Sequence, residues 1–299
     1  MWKVYAVSGA VVSAELYCPM ESDMNADGNV QWNDNGWTMT GSGGVHGKTS
    51  FNLLGGYIEF EMDTTEAHPG VNTNLYTTSP QTCCDYCDIQ DNGSPQCMEM
   101  DIIENNGNCL AQTTWHTWPN HNGDCDEGGC WGQRSLPGGS FQMKAEWSAD
   151  GWMTVTMDGN VVDVSNPVPS ENAKEYMAQQ MQSIGAQIQS SQWVGWVPGA
   201  SNCPGSGDLG SSKYSVRNLR ISGTVLQGVE PTKCSSPSPP SPTPTPPAPT
   251  GGPCCYGPQG AATSCQSSDI TGCESGWCGE SSDHCTGNCA GTWCPSFAV

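Results

Sequence analysis

The stretch Cys97-Met98-Glu99-Met100-Asp101-Ile102-Ile103-Glu104-Asn105-Asn106 sets three carboxylates among four large apolar side chains. In strict strand alternation Glu99, Asp101 and Ile103 share one face, while Met98, Met100, Ile102 and Glu104 share the other, which buries a carboxylate in a core. One extra residue around Ile102 and Ile103, a β-bulge, returns Glu104 to the face of Glu99 and Asp101, and bulges are frequent beside active sites. A helix fits worse, because steps of about 100° carry Glu99 and Glu104 apart around the axis and leave no continuous apolar stripe. Two carboxyl groups about 5–5.5 Å apart can cleave a glycosidic bond with retention, one attacking the sugar carbon and the other protonating the leaving oxygen. Asp101 between them would help keep one carboxyl protonated near neutral pH while the other stays ionised. An ordinary acidic strand face and a calcium site are the competing readings of the same residues.

The composition fits an extracellular enzyme. The 299 residues include 18 Cys, a density that requires an oxidising compartment. Nine basic residues against 30 acidic ones give a formal charge of −21, which opposes nucleic acid, an anionic membrane surface or a sulfated polysaccharide. A neutral polymer is the natural partner, and 12 Trp and eight Tyr supply flat apolar faces for sugar rings as well as core. Residues 1–14 read as a short signal peptide: Lys3, an apolar run from Val4 to Val12, then small residues at Ser13 and Ala14. No run of about 20 apolar residues follows, so a soluble, secreted, monomeric protein is expected.

Strands must carry these side chains. Phe51, Leu53 and then Tyr57-Ile58-Glu59-Phe60-Glu61-Met62 alternate about a break at Gly55-Gly56. Gln112 to Trp118 alternates again, placing Thr114, His116 and Trp118 on one face. If that strand pairs beside the acidic one, His116 reaches the carboxylates; otherwise it is a half-buried histidine held by a backbone carbonyl. Trp118 is a candidate sugar platform. Phe141–Trp152, Val155–Met157 and Val161-Val162 form a meander with Asp150-Gly151 and Asp158-Gly159 turns. A helix is expected from Ser170, its N-cap, to Gln182, with Ala173, Tyr176, Met177 and Met181 on one side. From Ile184 to Trp196 the alternation turns Gln187, Gln189, Ser191 and Trp193 to the cleft and Ile184, Ala186 and Ile188 to the core, making Trp193 a second platform. Asp23 to Val30, with Asp34 in the twelfth position, copies the opening of a calcium loop, and a tight Asn/Asp/Gly turn explains the same residues. The cysteines from Cys83 to Cys130 lack two matched Cys-x-x-Cys pairs, so disulfides across rim loops are expected rather than zinc.

Glu-Met-Asp-Ile-Ile-Glu resembles the Glu-x-Asp-x-x-Glu signature of glycoside hydrolase family 16, and also the family 7 cellulases, which share its clan and its β-jelly-roll fold. Glu146-Trp147-x-x-Asp150-Gly151 followed by Asp158-Gly159, Thr114-Trp115-His116, the Phe51 to Met62 segment and Tyr214–Ile221 resemble family 16. Gly70 to Tyr76 looks more like family 7 and lacks the Trp-Pro-Ala-x-Trp usual in family 16. The resemblance spans about residues 30 to 222, in patches. It implies an all-β antiparallel jelly-roll sandwich (concanavalin A-like), with Glu99 as nucleophile, Glu104 as acid/base and Asp101 as their tuning partner. It further implies a substrate contact from His116; Trp118, Trp193, Asn74 and Gln189 are the other substrate-contact candidates, no cofactor is required, and a neutral β-glucan is the expected substrate. Family 16 affinity favours β-1,3- or mixed β-1,3/1,4-glucan; Asn72 and Tyr76 lean toward β-1,4-cellulose; a non-catalytic glucan-binding protein is the alternative of another class.

The catalytic domain is thus expected over residues 15–234. Residues 235–253, rich in Pro, Ser and Thr, form an extended spacer that builds no core. Residues 254–299 hold the remaining eight cysteines with Trp277 and Trp293, a piece so small that disulfides must staple it. It reads as a carbohydrate-binding module, or else as a protein-binding or wall-anchoring knot.

Overall fold

A computed structural model describes residues 14–80, 98–116, 125 and 128–235, together with four short strands near the C-terminus. The leader through residue 13, Cys83, Cys84, Cys87, Cys97, Trp118, most of the spacer and Trp277 lie outside the described residues. The chain divides into two compact units, Met1–Cys234 and Ser235–Val299. In the second, strands Cys254–Gly257, Gly260–Ala261, Gly272–Glu274 and Thr292–Trp293 form a small antiparallel sheet.

The first unit contains strands β1 (Glu15–Tyr17), β2 (Met24–Asn33), β3 (Gly36–Gly47), β4 (Thr49–Asp63), β5 (Asn72–Thr78), β6 (Glu99–Asn106) and β7 (Leu110–His116). There follow β8 (Cys130–Ser135), β9 (Ser140–Trp147), β10 (Met153–Met157), β11 (Asn160–Val162), helix α1 (Glu171–Ser183), β12 (Gln187–Trp193) and β13 (Lys213–Gly228). All pairings are antiparallel, in the order β11-β10-β9-β4-β13-β3-β12-β5-β6-β7-β8, with β1 on β13 and β2 on β3. This continuous sheet doubles over into a jelly-roll sandwich. Strand β3 makes one corner: Trp37–Thr40 pair with β13, and beyond Gly41, at φ 73°, Gly43–His46 pair with β12.

The two layers meet through apolar side chains selected by alternation. Strand β9 buries Phe141, Met143, Ala145 and Trp147, and β4 buries Ile58, Phe60 and Met62. Opposite them β6 presents Met100, Ile102 and Ile103. Trp147 Nε1 donates to Met100 Sδ at 2.9 Å, and Asn105 Nδ2 to Met62 Sδ at 3.3 Å, so β6 is clamped onto β9 and β4, which lie far from it in the sheet order. The bridge between Trp131 and Asn166 and the bond from Arg134 Nη1 to Val161 O tie β8 toward the β11 edge and nearly close the sandwich.

Several local expectations match. Asp158 and Gly159 both have positive φ, as a two-residue hairpin between right-twisted strands requires. Helix α1 is capped by the Ser170 hydroxyl and buries Ala173, Tyr176, Met177 and Met181. Two expectations are corrected. Gly55-Gly56 does not break the strand: β4 runs through it, and its pairing with β13 slips between Ser222↔Tyr57 and Thr224↔Asn52. A Cβ on Gly56 would lie 2.0 Å from Ser222 O, so the glycine serves the close approach of a neighbouring strand. Residues 24–33 form not a tight turn but strand β2. The turn falls instead after Asn33, where Asp34 takes φ 27°.

Three disulfides, Cys18–Cys234, Cys109–Cys203 and Cys125–Cys130, occur among the described residues, and these six cysteines are therefore not zinc ligands. The first ties the two ends of the unit together. No helix among the described residues is long and apolar enough to cross a membrane.

Met100 touches the facing layer and is fully buried, so Met100→Ala should cost about 2–5 kcal/mol of unfolding free energy, measured by denaturant titration.

Candidate active site

The bulge in β6 lies at the expected place. Glu99, Met100 and Asp101 pair with His116, Trp115 and Thr114 of β7, then the register slips so that Glu104 faces Gln112. On the other side Tyr76 pairs with Asp101 and Leu75 with Ile103. Ile102 and Ile103 are both fully buried, which two successive strand residues manage only where one is extra. Glu99, Asp101 and Glu104 therefore line one cleft of about 780 Å³. Glu99 and Asp101 are 5% and 3% exposed, and Glu104 is half-buried.

The antiparallel register arranges the floor in transverse rows. Glu104 pairs with Asn74 of β5 on one side and Gln112 of β7 on the other. Asp101 likewise stands between Tyr76 and Thr114, and Glu99 beside His116. Each acid thus has its own neighbours. His116 Nε2 lies 3.3 Å from Asp101 Oδ2, with both side chains buried. Asn72 Nδ2 donates to Glu104 Oε1 at 2.9 Å, fixing that carboxyl from the β5 side. Asn74 Nδ2 donates to Asn72 Oδ1, and Asn74 Oδ1 accepts from the Ser191 amide and hydroxyl. On the far side Gln133 Nε2 donates to Gln112, whose own amide donates to Thr114.

Tyr76 sits in this acidic surrounding. Burial foremost, and then the charges of Glu99, Asp101 and Glu104, push its phenol far above the ordinary range, so it stays a neutral hydrogen-bonding group. Among the described lining residues there is no Lys or Arg. The rim carries Trp193 and Trp196, 36% and 48% exposed. The loop bearing Trp196 is pinned to the end of β6, because Asn106 Nδ2 donates to Pro198 O at 3.0 Å and the Cys109–Cys203 disulfide holds the same segment.

Of the residues proposed from sequence, Glu99, Asp101, Glu104, Asn74, His116 and Trp193 come together in the cleft. Gln189 does not line it; its side chain is bonded to His46, which does. Trp118 lies outside the described residues. Sequence reasoning missed Trp196, Asp27 and His46. Trp196 ends the run as read from sequence but lies beyond β12, which stops at Trp193, whereas Asp27 and His46 meet only because β2 pairs with β3.

No protein-family model matches the sequence, and no curated protein does. Solved structures similar to this chain include the endocellulase EGI of Humicola insolens, at 15% identity and TM-score 0.47, covering 64% of this chain and 76% of that one. An endo-1,3-beta-glucanase from Streptomyces sioyaensis is 16% identical at TM-score 0.48, covering 65% and 79%. LamAcat from Zobellia galactanivorans is 17% identical at TM-score 0.46, covering 65% and 80%. Identities of this size leave every residue role to be argued from this chain's own geometry.

Gly129 has φ 66°, and a Cβ there would meet Thr114 Cγ2 at 2.3 Å and His116 Cε1 at 3.0 Å. Gly129→Ala should therefore cost about 1–3 kcal/mol and shift the His116 imidazole resonances, read by thermal unfolding and proton NMR.

Proposed function

We propose that this protein is a secreted, retaining endo-β-glucanase acting on β-1,3- or mixed β-1,3/1,4-glucan. The observation that carries the reading is the β6 bulge, which sends two isoleucines to the core and leaves Glu99, Asp101 and Glu104 together in one cleft. Glu99 and Glu104 are opposed by His116 and Gln112, four residues apart on β7, roughly 13 Å along the strand. Two glutamate side chains leaning toward Asp101 can close that offset to the short separation that retention requires. A pure binding protein has no need for two such acids.

In the proposed cycle Glu99 attacks the anomeric carbon as Glu104 gives its proton to the leaving glycosidic oxygen, forming a glycosyl-enzyme. Glu104, now a carboxylate, removes a proton from water, which attacks the same carbon and releases Glu99 with the original anomeric configuration. The Asn72 amide holds Glu104 in place for both steps, and Asp101, beside His116, stabilises the charge distribution between the two glutamates. The preference for a β-1,3 or mixed polymer rests on chain economy, since some 220 residues leave little for the long insertions of a tunnel-forming cellulase. Three disulfides support secretion. No cofactor enters this chemistry.

The first-formed reducing sugar, followed by proton NMR, should keep the anomeric configuration of the substrate. Glu99→Gln should abolish turnover, whereas Glu104→Ala should leave slow turnover that azide or a good leaving group restores. An inverted product, or near-normal activity in Glu99→Gln, would overturn the assignment.

We also propose that residues 254–299 form a carbohydrate-binding module, joined by a tether that raises local concentration on insoluble glucan. Removing residues 235–299 should lower retention on insoluble β-glucan while leaving turnover of soluble glucan intact, as measured by pull-down and reducing-end release.

A further inference from the structure

The row that carries Glu104 continues beyond the acids. From Asn74 it passes to Ser191 on β12, to Gly44 on β3, and ends at Asp27 on β2. All of these line the cleft. From β6 to β2 the row crosses four strand spacings, roughly 19 Å at about 4.8 Å each, against roughly 10 Å on the β7–β8 side. Its side chains are small between Asn74 and Asp27, so the floor is a trough open to several sugar residues in line.

The far end is shaped for a polar ligand. His46 and Asp27 are diagonal neighbours across β2 and β3, and both side chains lean over Gly44. A Cβ on Gly44 would come within 2.7 Å of His46 Nε2 and 2.9 Å of Asp27 Oδ1, so the bare backbone is required for this arrangement. Gln189 Oε1 accepts from His46 Nδ1, so in the neutral imidazole Nε2 is an acceptor facing the cleft. Nε2 and Asp27 Oδ1 are 3.8 Å apart, too far for a hydrogen bond with each other. Their side chains are 47% and 75% exposed. Two acceptors at this spacing, beside a flat strip of Gly43 and Gly44 backbone, match two adjacent hydroxyl groups on one pyranose ring, each donating one O–H.

We propose that Asp27, His46 and the Gly43–Gly44 strip form a distal subsite that reads a vicinal diol of the glucan chain, and so selects a 1,4-linked glucosyl unit at that position. The inference rests on the glucanase reading and narrows it. An internal 1,4-linked glucose keeps its 2- and 3-hydroxyls free and adjacent. An internal 1,3-linked glucose has lost the 3-hydroxyl, and its remaining ring hydroxyls are not neighbours. Mixed β-1,3/1,4-glucan would therefore be held better than pure β-1,3-glucan.

The test measures equilibrium binding of soluble mixed-linkage glucan and soluble β-1,3-glucan, by affinity electrophoresis and calorimetry, to full-length protein carrying Glu99→Gln. Adding Asp27→Ala and His46→Ala should weaken binding of the mixed-linkage polymer about tenfold and of the β-1,3 polymer less than twofold. Asp27→Asn, which keeps shape and removes charge, should act in the same direction. Equal losses on both polymers, no loss on either, or no binding of either polymer before the additional substitutions would overturn the subsite. If the wild-type chain hydrolyses neither glucan yet the binding difference appears, the hydrolase reading fails and the subsite stands.

Discussion

The geometry of the acidic cleft depends on one constraint: Ile102 and Ile103 must both enter the core. Each is fully buried against the facing layer, and burying a branched aliphatic side chain is worth about 1.5–3 kcal/mol. A regular strand satisfies only one of them and sends Glu104 inward, where an unpaired carboxylate is far more costly than a distorted ladder. The bulge resolves the conflict, and the carboxylates are delivered to the cleft as its consequence. Strands β5 and β7 accept the slipped register on either side, so the distortion is shared by three strands.

Having delivered three acids to a buried floor, the fold must accommodate them with no Lys or Arg among the described lining residues. Several basic side chains serve the other layer: Arg217 and Arg220 meet Glu61 and Glu59, and Lys144 meets Glu146, on the outward face of β4, β9 and β13. These exposed pairs contribute little stability each. In the cleft the Asn72 amide donates to Glu104, and His116 stands beside Asp101. Burial first, and then the three carboxylates, raise the Tyr76 phenol and keep it neutral beside them.

The doubled sheet supplies the cleft's length. Because β3 turns a corner at Gly41, its second half joins the layer that carries β12, β5 and β6, and β2 comes with it. Side chains from segments more than 70 residues apart in sequence, Asp27 and Glu104 among them, then stand in one transverse row. The clamp of Trp147 on Met100 holds this layer against the other, so cleft shape and core packing are not independent.

The local part of this protein was legible in its sequence. The bulge could be placed at Ile102-Ile103 because alternation and the cost of a buried carboxylate are properties of neighbouring residues. The Asp158-Gly159 turn, the Ser170 cap and the inward face of α1 follow from equally local rules. His116 could be placed on the right face, but its approach to Asp101 required β7 to pair with β6 in one particular register. Gly55-Gly56 read as a break because a glycine pair looks the same whether it ends a strand or admits a neighbouring backbone; Ser222, which decides between them, is remote in the chain. The calcium-like run before Trp32 became a strand because β3 offers it a full ladder of hydrogen bonds. Alternation marked Gln189 as cleft-facing and Asp27 fell within a calcium-like run, but their grouping with His46 was not legible, since three polar residues on three strands become a cluster only when tertiary pairing fixes their register.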